Sequence, residues 1–81
     1  MTIDDLKKLF PSASNKTWHQ HQNGGGWVEN TAHVDESAYV GGNAQVFGTA
    51  TVVGTARVSG NAWVFGKARV FGNAWVSDDR N

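Results

Sequence analysis

The sequence predicts an all-β protein wound as a parallel β-helix, with a short α-helix at its N-terminus. The principal observation is a six-residue repeat, which from residue 31 onward reads TAHVDE, SAYVGG, NAQVFG, TATVVG, TARVSG, NAWVFG, KARVFG, NAWVSD. Each of these blocks has Ala second and Val fourth, and most of them end in Gly. The preceding block, GGWVEN, keeps the Val in phase, so nine blocks occupy residues 25–78.

The six-residue period has a direct structural meaning. Residues two apart on an extended strand point to the same side, so each Ala and Val pair should face a common interior. Gly followed by Asn, Thr or Lys between blocks suits a tight corner, because Gly adopts positive φ without a Cβ clash. One short strand and one corner in every six residues are typical of a parallel β-helix.

The N-terminal segment, residues 1–24, is predicted to form a helix and a capping loop. Thr2 is suited to cap the helix, with Asp4 and Asp5 near its positive end. Pro11 should end it. One apolar stripe at helical spacing is formed by Ile3, Leu6, Leu9 and Phe10. Because a two-turn helix is marginal alone, we expect this stripe to cover the first coil of the repeat, with partner binding as the alternative.

Residues 12–24 are polar and irregular, which predicts a loop. Within it, Trp18 is expected to pack on the domain edge, and His19 and His21 to be solvated. Two histidines one residue apart could share a metal ion, but no third ligand follows at a recognisable spacing. The three glycines at residues 24–26 lack the helix and Lys of a phosphate-binding loop. We therefore predict no metal site here.

The composition of the chain argues against several classes of function. The chain has 81 residues, no Cys, and seven Lys plus Arg against seven Asp plus Glu. A balanced charge disfavours nucleic acid, although Arg57, Lys67 and Arg69 lie near one another. No apolar run approaches the roughly 18 residues of a membrane span, and the N-terminus lacks a signal peptide pattern. The expectation is a cytoplasmic protein without cofactors, whose small core is supplemented by association.

The Ala-x-Val hexads resemble those of the hexapeptide-repeat family, and eight of the nine blocks match the pattern. The resemblance implies a left-handed parallel β-helix of triangular cross-section, with three blocks in each 18-residue coil. The 54 residues of the repeat would then form three coils, with Val stacked above Val and Ala above Ala inside. Residues 79–81 would be a C-terminal tail. Handedness rests on the resemblance, because parallel crossovers are usually right-handed.

Blocks 18 residues apart then share a face, and one face is unusually aromatic. It carries Trp27, Phe47, Trp63 and Phe65. Four such side chains exceed the apolar area that a monomer normally exposes. We expect them to form a self-association interface, with an isologous homodimer favoured and a trimer, more common in the family, as the alternative. A second alternative is that the N-terminal loop with Trp18 covers part of this face.

The other two faces supply candidates for binding a protein partner. On one, Arg57 should lie between the rings of Tyr39 and Trp75, as a ladder that stabilises stacking or as a binding hot spot. On the other, Arg69 and Phe71 point outward. These five residues form the predicted partner-binding set.

One arrangement could serve catalysis, because His33 stands beside Asp35. Enzymes of the hexapeptide-repeat family use a histidine as general base for acyl transfer at a subunit interface. Here His33 fills an outward slot held elsewhere by Tyr, Gln, Thr, Arg and Trp, which indicates surface variation. Those enzymes also carry more coils and an extruded loop. We predict no enzyme, with a reduced acyltransferase using acyl-CoA, and His33 as its base, as the alternative.

The sequence therefore predicts a non-catalytic protein-binding module that associates with itself and engages another protein. Its minimal size and its aromatic face are the observations that lead to this interpretation. By analogy, compact modules of this kind occur among small phage-encoded inhibitors of host enzymes, including anti-CRISPR proteins.

Overall fold

The computed structural model describes residues 2–78, which form one helix and ten short strands. The predicted β-rich class with a single N-terminal helix is confirmed, whereas the predicted tail at residues 79–81 lies outside the described residues. The elements are α1 (Ile3–Leu9), β1 (Trp18–Gln20), β2 (Trp27–Glu29), β3 (His33–Val34), β4 (Tyr39–Val40), β5 (Gln45–Val46), β6 (Thr51–Val52), β7 (Arg57–Gly60), β8 (Trp63–Val64), β9 (Arg69–Val70) and β10 (Trp75–Asp78).

Helix α1 begins with the predicted cap. The Thr2 hydroxyl accepts a hydrogen bond from the Asp5 N–H at 3.2 Å, and the Asp5 carboxylate accepts one from the Thr2 N–H at 3.2 Å. This reciprocal pair of hydrogen bonds provides acceptors for two backbone N–H groups that have none within the helix. The bonds from Thr2, its backbone N–H first, also lower the pKa of Asp5. The helix ends at Leu9, shortly before Pro11.

From β2 onward the strands occupy three sheets in rotation. Sheet A contains β1, β2, β5 and β8; sheet B contains β3, β6 and β9; sheet C contains β4, β7 and β10. Within each sheet the repeat strands are parallel and eighteen residues apart, so that Trp27 lies opposite Gln45 and Gln45 opposite Trp63. The eighteen-residue register is confirmed. We call residues 25–42, 43–60 and 61–78 the first, second and third circuits.

The interior between the sheets is made of the predicted Val and Ala residues. The fully buried members of this core include Ala38, Val40, Ala44, Val46, Ala50, Val52, Ala56 and Val58. Two interior predictions are wrong, because Ala68 and Ala74 are exposed. Both lie in the third circuit, beyond which no strand of the described chain 2–78 is stacked.

The corners between strands follow the Gly spacing. Positive φ occurs at Gly48, Gly54, Gly60, Gly66 and Gly72, as predicted, whereas Gly42, which also precedes an Asn between blocks, does not have it. Hydroxyl side chains of one circuit donate to Gly carbonyls of the next, as Thr31 does to Gly48 and Ser37 does to Gly54, each at 2.6 Å. These bonds hold successive corners in line.

Residues 12–24 are more ordered than the predicted loop. Strand β1 pairs antiparallel with β2, with His19 opposite Val28. The Val40 N–H donates to the Asn23 carbonyl at 3.0 Å, and the Gly26 N–H donates to the Val40 carbonyl at 2.8 Å. The N-terminal segment therefore covers the first-circuit edges of sheets A and C, because unpaired strand edges there offer it backbone partners. Within residues 2–78, no helix is long and apolar enough to cross a membrane.

Candidate functional site

The outer face of sheet A carries a second apolar cluster outside the Val and Ala core. Leu6 of α1, Ala13, Trp18 of β1 and Trp27 of β2 are its buried members. Trp27 is only 5% exposed, so its predicted place on an exposed interface needs correction. The physical reason is that helix α1 and strand β1 fold back over this face and exclude water from the indole. Leu9, predicted in the same apolar stripe, is instead exposed.

Five rings form what we call the aromatic patch: Phe10, Trp18, Phe47, Trp63 and Phe65. Phe47 lies at its centre, with ring centroids 4.9 Å from Phe10, 6.1 Å from Trp18 and 5.7 Å from Trp63. Phe65 stacks on Phe47 at 5.3 Å with an interplanar angle of 10°. Phe10 was predicted only as part of the helical stripe, and nothing in its local sequence indicates that it bridges to Phe47.

The aromatic patch is exposed at one side only. Trp63 and Phe65 are 46% and 55% exposed, whereas Phe47 is half-buried beneath its neighbours. Both exposed rings belong to the third circuit, the one farthest from the N-terminal segment along the chain. A self-association surface on sheet A is thereby restricted to Trp63 and Phe65, with Phe47 behind them.

The predicted ladder on sheet C is confirmed in its geometry. The Arg57 guanidinium carbon lies 5.1 Å from the ring centroid of Tyr39 and 5.7 Å from that of Trp75. Both distances are within the range of a cation–π interaction. The Trp75 indole N–H donates to the Ser59 hydroxyl at 3.0 Å, which fixes the ring although it is 68% exposed. A partner can therefore contact an ordered aromatic surface here.

On sheet B, strand β9 pairs with β6, which places Arg69 opposite Thr51. Together with Val53 and Phe71 they line an open groove of about 370 Å³. Phe71 is 65% exposed. The predicted partner-binding set is thus divided between two surfaces, the ladder on sheet C and this groove, which offers a guanidinium beside an aromatic ring.

The first-circuit end of sheet B holds the histidine and carboxylate pair. The nitrogen Nε2 of His33 lies 2.9 Å from Oδ1 of Asp35; the His33 side chain is largely in solvent and that of Asp35 is partly buried. The other carboxylate oxygen of Asp35 accepts a hydrogen bond from the Gly54 N–H at 3.1 Å. The Gly54 bond first, and then the His33 bond, lower the pKa of Asp35. Asp35 is therefore held as an anion that orients the imidazole.

The two other histidines, His19 and His21, differ in burial and in hydrogen-bond partner. His21 is buried, so its prediction as a solvated imidazole is wrong; its Nε2 donates to the Ala38 carbonyl at 2.7 Å, which ties the N-terminal segment to the first circuit. His19 is exposed, with Nδ1 2.7 Å from the Asn30 side-chain oxygen. Among residues 2–78 no three metal-ligating side chains come together.

Comparison of the chain with protein families, with curated proteins and with solved structures found no match. Three outer surfaces of the chain carry exposed side chains suited to binding. These are the aromatic patch on sheet A, the Arg57 ladder on sheet C and the groove on sheet B.

Proposed function

We propose that this chain is a non-catalytic protein-binding module of the hexapeptide-repeat type, folded as a left-handed parallel β-helix of three coils. The rotation of strands through three sheets and their eighteen-residue register support the helical winding. The left hand rests on the resemblance of the Ala-x-Val hexads. A crystal structure tests it directly, since a right-handed path of the same strands contradicts the proposal.

The observation that carries the binding function is the concentration of exposed rings in the third circuit. Trp63, Phe65, Phe71 and Trp75 are the large aromatic side chains with the greatest exposure among residues 2–78. Aromatic residues and Arg are enriched at the centres of protein interfaces, where they supply most of the binding energy. Exposed rings held on a rigid scaffold also lose little conformational entropy on binding.

The module associates with itself through Trp63 and Phe65, and light scattering tests this. Replacing both with Ser should lower the molar mass of the wild-type assembly. Leu9→Ser is the matched control, because Leu9 is also an exposed apolar residue (46%) but lies on α1 outside the patch. An unchanged mass in the Trp63 and Phe65 variant contradicts the assignment.

The second partner is another protein, bound through Arg57 and Trp75 on sheet C and through Arg69 and Phe71 on sheet B. By analogy with small phage-encoded inhibitors, including anti-CRISPR proteins, we propose a host enzyme as this partner. Affinity purification from the native host tests the proposal when wild type and a Phe71→Ser, Trp75→Ser variant are compared. A protein captured equally by both contradicts binding through these surfaces.

A second candidate function, a reduced acyltransferase, is favoured by one observation. The 2.9 Å contact between His33 and Asp35 is an arrangement that can orient a histidine general base. Thermal unfolding with acetyl-CoA at millimolar concentration tests it, since a ligand that binds the folded state raises the midpoint. No shift in the wild type, or an equal shift in His33→Gln, removes this candidate.

A further inference from the structure

The charges of the repeat are separated along the stacking direction. Residues 37–77 contain no Asp or Glu, but they contain three cations, Arg57, Lys67 and Arg69. The carboxylates of the repeat before residue 78 all lie in the first circuit, at Glu29, Asp35 and Glu36. The second and third circuits up to residue 77 therefore carry positive charge with no anion of their own.

Two of the first-circuit carboxylates are occupied by corners of the second circuit. Oε1 of Glu29 accepts a hydrogen bond from the Gly48 N–H at 2.9 Å, and Oδ2 of Asp35 accepts one from the Gly54 N–H at 3.1 Å. In the described chain, neither carboxylate forms an ion pair with a cation of the third circuit. The anions of the first circuit therefore do not neutralise the cations of the third.

Arg69 differs from Arg57 in its surroundings. The Arg57 guanidinium lies between two rings, whereas Arg69 is exposed on β9. Among residues 2–78, no carboxylate pairs with Arg69 and no ring lies over its guanidinium. The next acidic residue along the chain is Asp78, whose backbone lies opposite Gly60 on sheet C and not on sheet B. The charge of Arg69 is therefore available to an anion from outside the chain.

Arg69 forms one side of the groove on sheet B. Parallel pairing places it opposite Thr51, and Phe71 and Val53 follow two residues later, on the same outer side. Arg69 and Phe71 are exposed, whereas Thr51 and Val53 are half-buried. The volume of about 370 Å³ is near the lower end of the roughly 300–1,000 Å³ of ligand pockets. The groove therefore suits one or two side chains, and it is cationic on one side and apolar on the other.

We propose that this groove binds an acidic segment of the protein partner. A carboxylate of the segment contacts Arg69, and a neighbouring aliphatic or aromatic side chain packs against Val53 and Phe71. Charge complementarity supports this, because a guanidinium without an internal anion gains charge-assisted, bidentate hydrogen bonds from a carboxylate. Lys67, in the same hexad, adds a second positive charge. The proposal rests on the protein binding proposed above and specifies the chemistry of the partner.

The carboxylates at the opposite end of sheet B give the bound segment a direction. Asp35 and Glu36 follow β3 in the first circuit, whereas Arg69 lies on β9 in the third. Like charges repel across an interface, so the anionic group of the partner should lie over β9 and away from β3. A nucleic acid fits this surface less well, because its phosphates would extend over the carboxylates as well as over Arg69.

Peptide titration of the full chain, followed by amide NMR shifts, tests the proposal. The probe is a short peptide of alternating Glu and Leu with both termini capped, and the comparison peptide has Gln in place of each Glu. In the wild type, the Glu peptide should shift the Arg69 and Phe71 N–H signals. It should bind at least about tenfold more tightly than the Gln peptide, because hydrogen bonds to charged groups are the stronger kind. Added salt should weaken only the Glu peptide.

Substitutions of Arg69 separate the effect of charge from that of shape. Arg69→Gln and Arg69→Glu should weaken binding of the Glu peptide at least about tenfold, whereas Arg69→Lys, which keeps the charge, should weaken it less. Because the side chain is exposed, all three variants should keep the wild-type circular dichroism spectrum. Lys16→Glu is the matched control. It reverses a charge at an exposed position of the N-terminal segment and should change the affinity less than about twofold.

Three results of the titration overturn the proposal. They are equal binding of the Glu and Gln peptides, unchanged Arg69 and Phe71 signals at millimolar peptide, and an equal loss of affinity in Lys16→Glu and Arg69→Glu. Tighter binding of a thymidine oligonucleotide than of the Glu peptide also overturns it, and assigns the groove to nucleic acid.

The affinity purification described above separates this proposal from the binding function itself. If a host protein is lost with the Phe71→Ser, Trp75→Ser variant but retained by Arg69→Glu, the partner uses these surfaces and the acidic segment is wrong. If the Glu peptide binds as expected while the Phe71→Ser, Trp75→Ser variant captures the same protein as the wild type, the groove chemistry stands and the proposed partner is contradicted. Loss with Arg69→Glu and retention with Lys16→Glu support both.

Discussion

The guanidinium of Arg57 lies 5.1 Å from the ring centroid of Tyr39, a residue directly opposite it in the parallel pairing of β4 and β7. The two residues are eighteen positions apart, so the circuit of three hexads brings them together. Trp75 closes the other side of the same guanidinium. The ladder is therefore a consequence of register, and its energetic contribution can be measured by removing one member.

Arg57→Ala should lower the free energy of unfolding by about 1–2 kcal/mol, because an exposed cation–π contact contributes roughly 0.5–1 kcal/mol and Arg57 makes two. Arg69→Ala is the matched control. It removes the same side chain from the equivalent position of sheet B, where no ring lies over the guanidinium among the described residues, and should change stability by less than about 0.5 kcal/mol. Urea unfolding of both variants checks this. Equal losses would show that the rings do not stabilise Arg57.

Gly54→Ala should destabilise the chain more than Gly72→Ala. Both glycines have positive φ, 72° and 63°, so each substitution carries a backbone cost of about 1–2 kcal/mol. At Gly54 the new Cβ would also lie 3.1 Å from the Gly72 carbonyl oxygen, whereas at Gly72 it meets open space. The crowding should add about 1 kcal/mol or more. Thermal unfolding midpoints compare the two, and identical midpoints would contradict the close stacking of these corners.

Leu6→Ala should cost about 2–5 kcal/mol, because Leu6 is fully buried against the outer face of sheet A. The exposed Leu9 of the same helix is the control, and Leu9→Ala should cost less than about 1 kcal/mol. Urea unfolding gives the energies, and acrylamide quenching should report greater access to tryptophan in Leu6→Ala. If Leu6→Ala behaves like Leu9→Ala, α1 does not cover Trp27 in solution.

Asp35 should make stability depend on acid pH. Its pKa is lowered in the folded chain, by the Gly54 N–H first and then by His33, so the ionised form is the one that folding favours. The stabilisation is present above the ordinary aspartate pKa of about 3.9 and is lost as pH falls through the lower folded value. Asp35→Asn should therefore lose less stability than wild type between pH 7 and pH 3.

Glu36→Gln is the control for this pH dependence, because it removes a carboxylate from the exposed neighbouring position. Its unfolding free energy should fall with pH as steeply as that of the wild type. Urea unfolding at several pH values measures both variants. Equal acid sensitivity of Asp35→Asn and wild type would mean that the Gly54 bond does not persist in solution.

The repeat itself determined much of this structure. Ala and Val at fixed positions of every hexad require one buried side per strand, and Gly at the block ends permits the positive φ of the corners. Counting in eighteens was then enough to place Tyr39 beside Arg57. The helix cap at Thr2 could also be predicted from the sequence, because its hydrogen bonds are local.

Only the tertiary structure decided which outward residues are covered. Trp27 and Trp63 occupy equivalent positions in the repeat, yet Trp27 is buried and Trp63 is half-exposed. The difference arises because the non-repetitive segment before residue 25 folds back over the first circuit, and no periodic pattern encodes where such a segment packs. The burial of His21 has the same origin, whereas Ala68 is exposed in the third circuit, on which no further strand of residues 2–78 is stacked. A repeat specifies how each circuit pairs with the next, whereas its two ends are determined by whatever lies beyond them.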